Sequence, residues 1–102
     1  MLAKQSFAEK VYNITAQIPR GKVATYKAIA HQLSCKAYRA VGSALNKNPY
    51  APRVPCHRVI NANGELGGFA SGLKKKIQML RQEGVIIKDN KINLGKFGHK
   101  WR

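Results

Sequence analysis

The sequence predicts a mainly α-helical domain with a helix-turn-helix (winged-helix-like) arrangement, a short β-hairpin, and Cys56 in a loop beside the helices. Three observations predict this class. Apolar residues recur at helical spacing in four segments, two of these are separated by only Ser34-Cys35-Lys36, and two short apolar runs flank Asp89-Asn90. At 102 residues the chain has room for one modest core, so 1–102 reads as a single domain.

The first helix is expected over Ala3 to Gln17, with Phe7, Val11 and Ile14 at i, i+4 and i+7 facing inward. Pro19-Arg20-Gly21-Lys22 breaks it with turn chemistry. Thr25 suits the N-cap of a second helix reaching Leu33, with Ile29 and Leu33 inward. A third runs from Ala37 to Asn46 and carries Tyr38, Val41 and Leu45 on one face. The tight connection makes this pair a helix-turn-helix candidate, although small helical proteins also contain such pairs by packing alone. Asn48 to Pro55 is a proline-rich loop leading into Cys56, and Asn63-Gly64 marks a turn. Gly67, Gly68 and Gly72 allow close backbone approach. A fourth helix spans Leu73 to Glu83, with Leu73, Ile77 and Leu80 inward and Gly84 ending it. Val85-Ile86-Ile87 and Ile92-Asn93-Leu94 form the expected hairpin, and the basic tail from Lys96 to Arg102 is expected to be loose.

Charge narrows the function classes. Nineteen Lys and Arg face four acids, Glu9, Glu65, Glu83 and Asp89, for a formal net charge of +15. Such an excess in a small chain points to a polyanionic partner, nucleic acid by default; ribosome association or simple solubilisation would also accommodate it. No stretch approaches the ~20 apolar residues of a membrane helix, and Met1-Leu2-Ala3-Lys4-Gln5-Ser6 lacks a signal peptide's apolar region. The chain therefore reads as soluble and cytoplasmic, with no membrane partner. Cys35 and Cys56 could in principle pair, but nothing indicates an oxidising compartment, and His31, His57, His99 and the two cysteines lack the spacing of a structural zinc site. Both thiols are expected to be free.

Cys56 is the candidate nucleophile. Pro55 precedes it and favours an extended approach through Val54. His57 and Arg58 follow it, and proton-accepting or cationic neighbours favour the reactive thiolate. The bland alternative is a buried structural cysteine, for which a loop between Pro and His-Arg is a poor setting. Adjacent side chains of an extended segment diverge, so Cys56 and His57 need not touch, and a water could pass the proton. A histidine base needs its other ring nitrogen held, commonly by a carboxylate. Glu83 is a candidate holder; a surface ion pair along its own helix is the competing reading.

Pro55-Cys56-His57-Arg58-Val59 resembles the active-site motif of the O6-alkylguanine-DNA alkyltransferases, the methylated-DNA–protein-cysteine methyltransferases. The likeness extends in register over nearly the whole chain. Ile18-Pro19-Arg20-Gly21-Lys22-Val23-Ala24-Thr25-Tyr26 looks like the family's approach to its helix-turn-helix, and Arg39-Ala40-Val41-Gly42 like its recognition helix. Asn48-Pro49 resembles the asparagine that braces the active-site turn. Gly64, Gly67 and Ser71-Gly72-Leu73 resemble the pocket loop, and Leu80-Arg81-Gln82-Glu83-Gly84 the helix end bearing the family's glutamate.

The resemblance implies a mechanism. The chain would repair O6-alkylguanine in double-stranded DNA by moving the alkyl group irreversibly onto its own Cys56, with O4-alkylthymine a second candidate substrate. The third helix would lie in the minor groove with Arg39, Ala40 and Gly42 at the DNA. Arg39 would fill the stack vacated by a flipped nucleotide, and Tyr26 would crowd its phosphate. Flipping is required because a thiol cannot reach the O6 substituent inside a stacked duplex. His57, held by Glu83, would draw the Cys56 proton through water, and Asn48 would brace the loop. Backbone groups near Cys56, Val59 and Ser71 would hold the guanine edge, with Phe69 walling the pocket. No cofactor or metal is implied, because nucleophile and acceptor are one residue. The protein is expected to act as a monomer.

Two departures stand out. The family commonly has tyrosine where Phe69 stands and often a hydroxyl residue near Ala70, so leaving-group stabilisation would rest more on backbone N–H groups. Phe69→Tyr is therefore expected not to abolish transfer. The resemblance also covers only the family's C-terminal catalytic domain, and the N-terminal domain is expected to be absent. Two rivals remain. Alkyltransferase-like proteins share this domain and flag damage without transfer, but carry tryptophan or alanine in place of the reactive cysteine. A helix-turn-helix transcription regulator would need neither Cys56, His57, Asn48 nor Glu83 in this register, and would usually dimerise.

Overall fold

Residues 6–67 and 72–101 are described by the structure, a computed structural model. Ser6 opens the first helix, α1 (Phe7–Thr15), through a capping box: its hydroxyl accepts from the Glu9 N–H while the Glu9 carboxylate accepts from the Ser6 N–H. The expected start at Ala3 lies outside the described residues, and the helix ends before Gln17. Val11 is buried and Ile14 packs partly buried against the core as expected, and Tyr12 and Thr15 rather than Phe7 complete the inward face. Phe7 is exposed, because it occupies the first turn, beyond the reach of the packed helices.

The helix-turn-helix forms as expected. Thr25 caps α2 (Tyr26–Gln32) by accepting from the Ala28 N–H at 2.9 Å. Ser34 adopts φ 55, and the following Cys35 N–H donates back to the Ala30 carbonyl, which turns the chain into α3 (Tyr38–Asn46). Val41 and Leu45 are buried, but Tyr38 is 48% exposed. Tyr38 is the first residue of α3, and Ala44 takes the inward place expected for it. The Tyr12 hydroxyl donates to the Ala44 carbonyl at 2.8 Å and ties α1 to α3.

The two-stranded element lies elsewhere than the sequence indicated. β1 (Ala24–Thr25) and β2 (Val59–Ile60) pair in parallel, Ala24 against Val59 and Thr25 against Ile60. Side chains alternate across a strand, so this small ladder divides the core. Ala24 and Val59 join Val11, Ile18, Ile29, Val41 and Val54 under the first three helices. Val23 and Ile60 join Leu66, Leu80, Val85, Ile92 and Phe97 on the other side.

The hairpin expected at residues 85–94 contracts to its turn. Lys88 and Lys91 exchange backbone hydrogen bonds across Asp89 and Asn90, both in the left-handed region. Beyond that pair the strands part: the Ile92 N–H donates to Gly64 instead, Ile86 is exposed, and Asn93 caps α5 (Leu94–Phe97). The tail is not loose as far as Trp101. Val23 N–H donates to the Phe97 carbonyl, His99 N–H donates to the Val23 carbonyl, and Trp101 Nε1 donates to Gln17 Oε1.

The fourth helix, α4 (Leu73–Gln82), ends at Gly84, whose φ is 89. Gly84 N–H reaches Arg81 and Val85 N–H reaches Leu80, satisfying the last carbonyls. Leu80 is buried and Ile77 half-buried, but Leu73, in the first turn, is exposed. Lys76 is the unexpected residue of the inward face. Among the described residues, no helix is long and apolar enough to cross a membrane.

Candidate active site and nucleic-acid interface

The loop before Cys56 is held by one side chain. Asn48 Nδ2 donates to the Val54 carbonyl at 2.8 Å, and Asn48 Oδ1 accepts from the Tyr50 N–H at 2.9 Å. Cys56–Arg58 then forms one turn of 3-10 helix rather than continuing an extended loop. The Cys56 N–H donates to Val54 and the Arg58 N–H to Pro55. With about three residues per turn, successive side chains diverge by roughly a third of a circle. Cys56 and His57 therefore do diverge, for a different reason from the one expected: Cys56 is half-buried while His57 is 2% exposed. Cys56 and Cys35 are both free thiols.

His57 turns inward onto α4. Its Nε2 lies 3.0 Å from Glu83 Oε2. Arg58 wraps the same carboxylate, donating from Nε to Oε1 at 2.8 Å and from Nη2 to Oε2 at 2.7 Å, while its Nη1 donates to the Ile18 carbonyl. Arg58 is thus committed to Glu83 and Ile18, not to Cys56 as its sequence position indicated. Glu83 serves neither as a solvated ion pair along α4 nor as a free surface acid.

Electrostatics settle the proton positions. Burial works to raise the Glu83 pKa, but hydrogen bonds from Arg58 and His57 outweigh it and hold the carboxyl below its ordinary value. Burial lowers the His57 pKa; Glu83 opposes that, and the charges of Arg58 and Lys76 add to it. The ring is therefore neutral and Glu83 ionised near neutral pH. An ionised carboxylate only accepts, so the imidazole proton sits on Nε2 and the Nδ1 lone pair is the basic one. The turn carries a half-buried thiol and, at the next residue, an oriented neutral imidazole.

Of the residues expected at the DNA, Tyr26 and Gly42 meet between α2 and α3. Tyr26 is the first residue of α2, half-buried, with its pKa raised by burial and by negative charge at Cys56. Gly42 of α3 faces its ring: a Cβ there would stand 3.7 Å from the ring edge, in ordinary contact. Arg39 and Ala40 are exposed on α3. Tyr26 also lines an open cavity of about 460 Å³ with Lys27, Tyr38, Asn61, Ala62 and Asn63. Tyr38 and the two asparagines were not anticipated. Val59 is buried in β2, and its carbonyl accepts from the Lys76 ammonium at 2.7 Å. Phe69 and Ser71 lie outside the described residues. Lys76 was missed although its spacing was visible: it stands three residues after Leu73 and four before Leu80, on the inward face.

The DNA-binding domain of 6-O-methylguanine DNA methyltransferase matches residues 6–85, which contain Tyr26, Arg39, Asn48, Cys56, His57 and Glu83. The chain belongs to this family. It is 52% identical over 79 residues to a methylated-DNA–protein-cysteine methyltransferase of Methanosarcina acetivorans, covering 76% of the chain and 51% of that relative. It is 48% identical over 82 residues to the methyltransferase of the same name from Sulfolobus acidocaldarius, 80% of the chain and 52% of the relative. The chain thus spans about half the length of these alkyltransferase relatives. Among solved structures, S. pombe Atl1 in complex with damaged DNA containing O6-carboxymethylguanine superposes with a TM-score of 0.84 at 33% identity, over 97% of this chain and 99% of that one. Mycobacterium tuberculosis OGT in complex with DNA gives a TM-score of 0.75 at 39% identity, over 82% of this chain and 52% of that one. Family membership accounts for the helix-turn-helix and the Cys-His-Arg turn lying side by side.

Proposed function

We propose that this chain repairs double-stranded DNA by transferring the alkyl group of O6-alkylguanine, once and irreversibly, to Cys56. The observation that carries the reading is the neutral His57 imidazole, fixed by Glu83 next to a half-buried free thiol. His57 Nδ1 takes the Cys56 proton through a water. The sulfur attacks the alkyl carbon, a C–S bond forms, the carbon–O6 bond breaks, and the electron pair leaves with guanine. Protonation of the departing base closes the balance. Asn48 braces the Cys56 turn by tying the ends of its loop. Arg39, exposed on α3, takes the stack position of the flipped nucleotide, and Tyr26 crowds its phosphate from the seat that Gly42 provides. Ala40 keeps the groove face of α3 low. Backbone groups near Cys56 and Val59 hold the guanine edge. The net charge of +15 supplies the phosphate attraction.

One observation favours a second reading, a damage sensor that binds without transfer: S. pombe Atl1 superposes with a TM-score of 0.84, against 0.75 for Mycobacterium tuberculosis OGT. Intact mass spectrometry after mixing with a duplex carrying one O6-methylguanine separates the two. Transfer adds one methylene, mapped to Cys56 and absent in Cys56→Ala. Tight binding without a mass change would leave the sensor.

A further inference from the structure

The groove-binding role of α3 draws on few of the chain's cations. Lys27, Lys36, Arg39 and Lys47 are the exposed lysines and arginines of α2, α3 and their flanks. A second set gathers around α4. Lys74 and Arg81 line an open groove of about 510 Å³ together with Ile77, Gln78 and Gln82. Their positions along the helix differ by a rise of about 10 Å, the axial advance of roughly three phosphates on one DNA strand. Arg20 continues the row, because its Nη2 donates to the Gln82 carbonyl at 3.0 Å. Lys22 donates from Nζ to the Lys96 carbonyl at 3.1 Å, which brings a fourth and a fifth cation to the same end.

This face is not the helix-turn-helix face extended. α4 sets Ile77 and Leu80 on the second core cluster, whereas Ile29 and Val41 of α2 and α3 belong to the first, and the β1–β2 ladder stands between them. The acids are engaged elsewhere. Glu83 is held by His57 and Arg58, Glu9 caps α1, and Glu65 and Asp89 line a different cavity with Leu73. Among the described residues, no carboxylate pairs with Arg20, Lys22, Lys74, Arg81 or Lys96. Like charges concentrated in this way repel one another and oppose the compact state, and a polyanion laid across them relieves that repulsion.

We propose that the face formed by Arg20, Lys22, Lys74, Arg81 and Lys96 holds the phosphate backbone of a second duplex segment while α3 occupies the first. One chain would thereby join two stretches of DNA, or two turns of one bent molecule. Sedimentation of the full chain at low salt in an excess of short undamaged duplex tests this, and one chain should carry two duplexes. Five phosphate contacts give the second duplex a slope of about −4.5 in log affinity against log salt. Combining Arg20→Gln, Lys74→Gln and Arg81→Gln should reduce that slope to about −1.8 and leave the first duplex bound as before. If the triple variant does not fold by circular dichroism, Lys74→Gln with Arg81→Gln replaces it, with an expected slope change of about 1.8. Saturation at one duplex per chain would overturn the inference and leave this face to an acidic protein. A two-duplex complex that contains two chains would overturn it as well, since the chain would then be pairing with its own copy. So would a folded variant that takes the second duplex with an unchanged slope. Alkylated DNA is not used, so the result is independent of whether Cys56 accepts a methyl group.

Discussion

Replacing Glu83 by Gln probes the hinge between stability and chemistry. The carboxylate engages three groups, His57 Nε2 at 3.0 Å and Arg58 Nε and Nη2 at 2.8 and 2.7 Å. Its side chain is 9% exposed and that of Arg58 is 15% exposed. Gln keeps the shape but presents an amide N–H₂ where one oxygen stood, so a donor faces a donor and Arg58 keeps its charge without compensation. Breaking a fully buried ion pair from one side costs about 3–5 kcal/mol. Here the residual exposure and the bond that Arg58 keeps to Ile18 reduce that to about 2 kcal/mol. For a domain of this size such a loss lowers Tm by roughly 8–16 °C. Below that melting point, His57 loses both its orientation and the charge that supports its protonated form, so single-turnover methyl transfer should slow by about a hundredfold. The assay is rapid mixing with an O6-methylguanine duplex at a temperature where circular dichroism shows the variant folded. A folded Glu83→Gln that transfers within twofold of the unaltered rate would refute the assignment of His57 as a base held by Glu83.

Three further outcomes are expected. Tm should fall in two stages on acidification. His57 is harder to protonate folded than unfolded, so stability drops as pH falls below the ordinary histidine value of 6.5; Glu83 is held ionised, so its contribution disappears below the ordinary value of 4.5. A Tm that rose on acidification from 6.5 to 4.5 would contradict the His57 direction, and one that rose below 4.5 the Glu83 direction. Arg39→Ala should leave Tm unchanged because the side chain is exposed, while transfer slows by about 10–100-fold; rapid quench against thermal melting separates these effects. Gly64→Ala should lose about 2 kcal/mol in urea unfolding, because φ is +89 and the new Cβ would stand 2.8 Å from the Ile92 carbonyl oxygen.

What the sequence determined by itself was local. Thr25 as a cap, the short connection before α3 (residues 33–37, where three residues were expected), and Gly84 as a helix stop each depend on chemistry within a few residues, and each stands close to where the sequence placed it. The motif around Cys56 was legible for the same reason: its residues are contiguous. Tertiary structure decided what depends on distant partners. The 85–94 segment carries hairpin chemistry at Asp89-Asn90, but Gly64 takes the Ile92 N–H and Asn93 starts a helix, so the strands part. Phe7, Tyr38 and Leu73 obey helical periodicity yet stay exposed, because periodicity marks a face and not how far the core extends along it. Val23, Ala24, Val59 and Ile60 form a parallel ladder too short to show a pattern. Arg58 looked like a neighbour of Cys56, and only the fold turns it onto Glu83, 25 residues away. Lys76 is the sharpest case. Its position on the inward face was written in the spacing, but composition argues against burying a lysine, and partners brought together by the fold, the carbonyls of Val59 and Leu66 among them, make that burial tolerable.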